Sequence, residues 1–205
     1  MPPSKDARTK LLDAALAVIR GKGFAATSVD ELCQAAGVTK GAFFHHFHTK
    51  EELGVAAARH FGEMAAGLFA AAPYQSVADP CERLLGYVDF RTAMIAGEIP
   101  EYTCLLGTMV QEAYATHPAI REACEREMIG HAMTIEPVIT AILARQGRSD
   151  VDPASLASHI QGVLQGAFIL AKATGDARVA ADSLGHLRRY LTLLFEPQPQ
   201  RETLA

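Results

Sequence analysis

The chain has 205 residues, 49% of them apolar, and a formal net charge of −4 at pH 7. That length admits one large domain or a small unit joined to a larger one, and the apolar share suffices for a substantial core. The acidic balance excludes a protein that coats nucleic acid by bulk charge, and no apolar run reaches the roughly eighteen residues of a membrane span.

Residues 1–6 read as a tail, broken by Pro2, Pro3 and Ser4. From Ala7 to Arg20, Leu12, Ala15, Leu16 and Ile19 share one helical face, and Gly21-Lys22-Gly23 stops that helix. Ser28 followed by Glu31 is a capping box, in which each side chain satisfies an orphan N–H at a helix start. Val29, Leu32 and Ala36 then mark one face of a short second helix. Gly37 ends it where φ must turn positive. Thr39 caps a third helix, whose Phe43 or Phe44 and Phe47 can pack back on the second.

Two short helices across a Gly-containing turn make either an ordinary helical corner or a helix-turn-helix, which puts its second helix in the DNA major groove. Composition favours the second. Thr39, Lys40, Gly41, His45, His46 and Lys50 supply hydroxyls, cations and a bare backbone, and no carboxylate lies between Glu31 and Glu51. A surface that meets phosphates needs that asymmetry. Residues 1–53 hold seven Lys/Arg against six Asp/Glu, whereas 54–205 hold twelve against seventeen. The early acids (Asp6, Asp30, Glu31, Glu51, Glu52) sit mostly at helix starts, and the cations gather at Lys5, Arg8 and Lys10 and again at Lys40 and Lys50.

The stretch G-V-T-K-G-A-F-F-H-H-F-H-T-K-E-E-L, from Gly37 to Leu53, resembles the recognition helix and its exit in the tetracycline-repressor (TetR) family of transcriptional regulators. The preceding run from Ala7 to Leu32 is similar to that family's first helix and the entry to its second. The resemblance covers about residues 7 to 56. It implies an all-α fold, a homodimer built on the last two long helices, and an effector cavity in the body. One departure is Phe44, where the family usually carries Tyr, so a hydroxyl that touches a phosphate is missing.

Beyond the motif, Thr49-Lys50-Glu51-Glu52 caps a long helix to about Ala72, with Leu53, Phe61, Met64 and Leu68 near one stripe. Asp79-Pro80 opens a helix to about Ile95, and residues 97–100 read as a loop. A short helix follows from Thr103 to Tyr114, then a long one from His117 to Gln146, stopped by Gly147. Asp152-Pro153 opens the next, ending at Gly175, and Asp176 caps a last helix to about Phe195 before a Pro/Gln-rich tail. The expectation is nine helices: a helix-turn-helix head, residues 1–48, and an effector-binding and dimerisation body, residues 49–205.

Ser158, Gly162 and Gly166 recur every four residues, a face without bulk that suits either packing inside the protomer or a close approach between subunits. With Leu187, Tyr190, Leu191 and Leu194 it forms the expected dimer interface. Phe61, Met64, Leu68, Tyr87, Arg91, Cys104, Glu112, His131, Gln161 and Gln165 are the candidate cavity residues; most polar ones among them have the simpler reading of exposed or locally satisfied groups. Cys104, at a helix start, is the candidate reactive thiol, against the plainer reading of a buried small hydrophobe.

His45, His46 and His48 point in different directions on a short helix, so no metal site is expected. The four cysteines (Cys33, Cys81, Cys104, Cys124) lack the spacing of a zinc site or a disulfide framework. No Glu-x-x-His repeat, Ser/His/Asp order or nucleotide-binding glycine loop appears, so neither enzyme activity nor a cofactor is expected. The longest apolar candidate, Val163 to Ala173, contains Gln165, Gly166 and Lys172, and no signal segment follows Met1, so a soluble cytoplasmic protein with no membrane contact is expected.

The functional expectation is a ligand-responsive homodimeric repressor that binds a palindromic double-stranded operator through Thr27, Ser28, Thr39, Lys40, Gly41, Phe44, His45 and Lys50. The alternative is a helical small-molecule-binding protein or enzyme whose head only mediates interactions.

Overall fold

The computed structural model describes residues 6–196. The predicted frayed start, with Lys5, and the Pro/Gln-rich tail lie outside the described residues, Asp6 excepted. Those residues form eleven α-helices and one turn of 3-10 helix at Pro73–Ser76, with no strand among them. The head comprises α1 (Ala7–Lys22), α2 (Val29–Ala36) and α3 (Lys40–His46). Asp6 starts α1 by accepting the Thr9 N–H at 2.7 Å. The capping box of α2 is closed from both sides: Ser28 Oγ accepts the Glu31 N–H at 3.3 Å, and Glu31 accepts the Ser28 N–H at 2.9 Å. The Lys22 ammonium beside it, together with both Ser28 donors, holds the Glu31 carboxyl down at about 2, so the cap stays ionised far below neutral pH. Gly37 ends α2 at φ 63°, ψ 38°, the left-handed conformation that turns the chain into α3. Phe43 and Phe47 are buried and lock α3 against α1 and α2.

The body follows as α4 (Lys50–Ala70), α5 (Pro80–Ala93), α6 (Ile99–Tyr102), α7 (Leu105–Ala113), α8 (Pro118–Met133), α9 (Glu136–Gln146), α10 (Pro153–Thr174) and α11 (Ala177–Phe195). Two helices exceed the expectation. The segment read as one helix from His117 to Gln146 turns at Thr134 and Ile135. Pro137 has no N–H to donate inside a continuing helix, so α9 starts afresh with that residue in its first turn. Likewise, residues 97–100 are not all loop: Pro100 lies in the first turn of α6, which Glu98 and Glu101 close as a capping box.

Two cores result. One joins α5, α9, α10 and α11 around Leu84, Val88, Ile139, Ile142, Ile160 and Leu184. The other runs from Leu11, Ile19, Leu32 and Phe43 of the head through Leu53 and Ala57 into Leu105, Met109, Ile120 and Cys124. The cores therefore do not divide at residues 48 and 49: the start of α4, all of α7 and the first half of α8 pack with the head. Gly54 permits the close approach, since a Cβ there would stand 2.9 Å from a Phe24 ring carbon and 3.1 Å from Ile120. Two stretches, Pro118–Gln146 and Pro153–Thr174, have the length and a mean hydropathy (1.2 each) of a membrane span. The first is broken at Thr134, and the second buries one face, Leu156, Ile160, Leu164 and Phe168, in the body core.

Candidate functional site

Burial of Phe43 and Phe47 turns the opposite face of α3 outward, and Lys40, Gly41, Phe44 and His45 are exposed there. Thr39 Oγ1 caps the helix by accepting the Ala42 N–H at 3.1 Å. Lys40 Nζ lies 2.8 Å from Asp30 Oδ1, but both side chains are exposed, so the pair is screened and a phosphate can displace it. Phe44 is 47% exposed with its ring edge-on to Phe43 at 5.2 Å, an apolar group on an otherwise polar face. No three His, Cys, Asp or Glu side chains among the described residues converge as a metal site, and the His45 and His46 rings pack edge to face with centroids 4.9 Å apart.

Three of the residues expected at DNA are turned to other tasks. Thr27 is 2% exposed, and its hydroxyl donates to the Gly23 carbonyl at 2.6 Å. The Ser28 N–H and hydroxyl are taken by Glu31. The Lys50 ammonium folds back instead of outward. It donates to the carbonyls of Phe24 at 3.0 Å, Ala25 at 3.4 Å and Thr27 at 2.9 Å, and it stands 4.5 Å from the Phe24 ring centroid. Partial burial pushes its pKa down. Lys50 thus clasps the loop between α1 and α2. Sequence reasoning missed this because the partners lie more than twenty residues upstream.

A cavity of about 650 Å³ opens between α1, α4, α5, α8 and α10. Eight of the ten candidate residues line it: Phe61, Met64, Leu68, Arg91, Cys104, His131, Gln161 and Gln165. Tyr87 stands behind the wall, its hydroxyl 3.1 Å from His131 Nε2 and 3.4 Å from Gln161 Nε2. Glu112 is elsewhere: its carboxylate accepts the Ala25 N–H at 2.7 Å and ties α7 to the head. The wall also holds Leu16 and Arg20 of α1, together with Phe69, Tyr102, Thr103 and Phe168. Tyr102 and Thr103 were hidden because they lie beside a segment read as loop. Arg20 was hidden because it belongs to a head helix.

Burial, with the Arg91 guanidinium nearby, pushes His131 down to about 4, so its imidazole is neutral at physiological pH. In the unfolded chain it protonates near 6.5. Between those values the unfolded state binds more protons, so His131 favours the folded state above pH 6.5 and loses that contribution as pH falls toward 4. The loss is expected to reach about 3 kcal/mol. Urea unfolding of wild type and His131→Gln at pH 7.5 and pH 5 checks it: the variant should lose less stability across that interval.

Elsewhere on α10, Ser158 and Gly162 are exposed and Gly166 is half-buried. A Cβ at either glycine would meet nothing within 4 Å, so the bare face is not used for packing inside the protomer. Ile169 and Leu170 extend this stripe on α10, and Tyr190 and the 65% exposed Leu193 stand on α11. Leu194 is half-buried. Leu187 and Leu191, expected at the interface, are instead buried in the protomer's own core, since they occupy the face of α11 that meets α5 and α10.

Residues 11–57 match the family model described as bacterial regulatory proteins, tetR family, and residues 80–187 match that of the tetracyclin repressor-like C-terminal domain. The transcriptional regulator AcuR of Cereibacter sphaeroides is 29% identical over 177 residues, covering 83% of this chain and 78% of AcuR. The transcriptional repressor KstR2 of Rhodococcus jostii is 38% identical over 58 residues, 25% of this chain and 28% of KstR2. Among solved structures, the regulatory protein TetR from Rhodobacter sphaeroides superposes with a TM-score of 0.80 at 26% identity, covering 92% of this chain and 98% of that one. Reduced E. coli NemR shares the fold at a TM-score of 0.74 and 22% identity, covering 90% and 96%.

Proposed function

The chain belongs to the TetR family of bacterial transcriptional regulators and is a DNA-binding regulator, not an enzyme; from that premise we propose a homodimeric repressor released from a palindromic operator by a small, largely apolar effector. In this reading α3 enters the major groove, with Thr39, Lys40, Gly41, Phe44 and His45 at the DNA, and the two-fold axis spaces two such helices over paired half-sites. The DNA contacts fall within residues 1–48 and the dimer surface and most of the cavity within 49–205, while the head core continues into α4, α7 and α8. The protein acts where operator DNA is, in the cytoplasm.

The observation that carries the effector half is the cavity itself. It combines Phe61, Met64 and Leu68 of α4 with Leu16 and Arg20 of α1, so one occupant touches the body and the head together. Such a ligand biases the head if it prefers one of two arrangements of α1 and α4. A preference of about 1–3 kcal/mol for the DNA-incompetent arrangement lowers operator affinity roughly 5–150-fold. The test is a mobility shift on the gene's own upstream DNA, titrated with compounds first selected by thermal shift. Compounds that stabilise the protein yet leave operator affinity unchanged would remove the effector mechanism.

On the same DNA, Lys40→Ala should weaken binding to operator and random sequence alike and lower the salt slope by about 1. His45→Ala should cost more on the operator than on random DNA, as expected of a side chain that reads a base edge. Unchanged affinity in both variants would take α3 out of the groove.

A further inference from the structure

We propose that the effector is an organic acid, its carboxylate seated against Arg91 and its apolar body lying along Phe61, Leu68, Met94 and Met128. The proposal rests on the reading of this cavity as the effector site and adds the chemical class. Arg91, in the last turn of α5, holds its guanidinium carbon 5.1 Å from the Phe69 ring centroid and 5.7 Å from that of Phe168. It has no carboxylate or hydrogen-bond partner among the described residues. The guanidinium, stacked on two rings and without a counter-ion, is free to take a ligand anion.

Neither carboxylate of the wall pairs with it, and the wall's other cation is already occupied. Arg20 is satisfied by the carbonyls of Leu16 at 2.8 Å and Glu101 at 3.0 Å. The Glu101 carboxylate accepts the Glu98 N–H at 2.8 Å in the cap of α6, and Glu127 lies over Gly62 of α4.

A second observation points to the same class of ligand. Tyr102 (8% exposed) and Thr103 (1% exposed) line the cavity, and their buried hydroxyls have no hydrogen-bond partner. Native proteins rarely leave such groups unsatisfied. The Tyr102 ring stands 6.2 Å from Phe168, the ring that also carries Arg91, so the hydroxyl-bearing segment and the cation flank one side chain. Behind them, Gln161 Nε2 donates to the Tyr87 oxygen at 3.4 Å, and that oxygen lies 3.1 Å from His131 Nε2, so these three side chains hold one another in place. Arg91 and the two hydroxyls are groups able to donate, and a ligand group that only accepts suits all three. A carboxylate is such a group, and the guanidinium fork matches it with two parallel hydrogen bonds. A primary amide brings two N–H donors of its own to the same place.

The test is isothermal titration calorimetry of the full-length protein with phenylbutyrate and octanoate, each beside its primary amide. The acids should bind roughly 10–100-fold tighter than the amides. Arg91→Gln should abolish that preference, and Arg91→Lys, which keeps the charge without the fork, should retain part of it. The wild-type comparison alone decides if a variant fails to fold. Amides that bind as well as the acids, acids that bind Arg91→Gln undiminished, or a cavity that takes neither class would overturn the proposal. Operator titration in parallel separates this claim from the one beneath it. Acids that bind through Arg91 but leave operator affinity unchanged support the anion seat and remove the regulatory reading. Amides that bind tighter and release the operator do the reverse.

Discussion

Replacing Gly162 and Gly166 together by leucine is expected to yield a folded monomer with at least about 100-fold weaker operator binding. The argument begins inside the protomer. A Cβ at either position meets nothing within 4 Å, so the new side chains displace no neighbour of their own chain. Leucine also favours a helix by up to about 1 kcal/mol over glycine, so the protomer itself should be no less stable. Any damage must therefore come from a surface that a second molecule covers. Exposed apolar side chains lie along it: Ile169 and Leu170 continue the stripe on α10, with Tyr190 and Leu193 on α11. Two glycines in register let two helices approach closely, and inserted leucines overpack that contact at about 1–3 kcal/mol each. A monomer has one recognition helix and loses the linked second half-site. Sedimentation and an operator titration of the double variant measure both consequences. A variant that stays dimeric with full operator affinity would place the subunit contact on another face.

The same helices show what kind of information the chain carries openly. The starts of α2, α4, α5 and α10 are readable because each cap lies within three residues of its partner: Ser28 with Glu31, Thr49 with Glu52, Asp79 with Glu82 and Asp152 with Ala154. The break between α8 and α9 had a local signal too, Pro137 inside an apolar run, and it was outweighed by the periodicity around it. The cavity was legible in part, because Phe61, Met64 and Leu68 repeat at helical spacing and Arg91, His131, Gln161 and Gln165 interrupt apolar faces. Contacts between distant segments carry no such signature. Glu112 looks like a cavity residue until Ala25, 87 positions away, is brought to its carboxylate. Leu187 and Tyr190 look equivalent on α11 until α5 and α10 cover one of them.

Lys50 is the sharpest instance, and it separates two roles that the sequence cannot. As a phosphate contact, it would tolerate Arg, lose operator affinity as Ala, and leave thermal stability alone. As the clasp of the α1–α2 loop, it should behave otherwise. A lysine ammonium offers three donors at one point, and here the three carbonyls of Phe24, Ala25 and Thr27 converge on that point. A guanidinium spreads its donors in a planar fork and cannot meet all three from the same backbone position. Lys50→Ala should therefore destabilise the protein by about 1–3 kcal/mol, the range of hydrogen bonds to a charged group discounted for partial exposure. Because the loop sets where α2 and α3 sit on α1, operator affinity should fall with it. Lys50→Arg should restore little of either, although the charge is kept. The salt slope of whatever DNA binding remains should match wild type, whereas Lys40→Ala should lower the slope and leave thermal stability unchanged. Thermal unfolding and salt-dependent operator titrations of the three variants give the answer. An arginine variant with wild-type affinity and stability would return Lys50 to the phosphates.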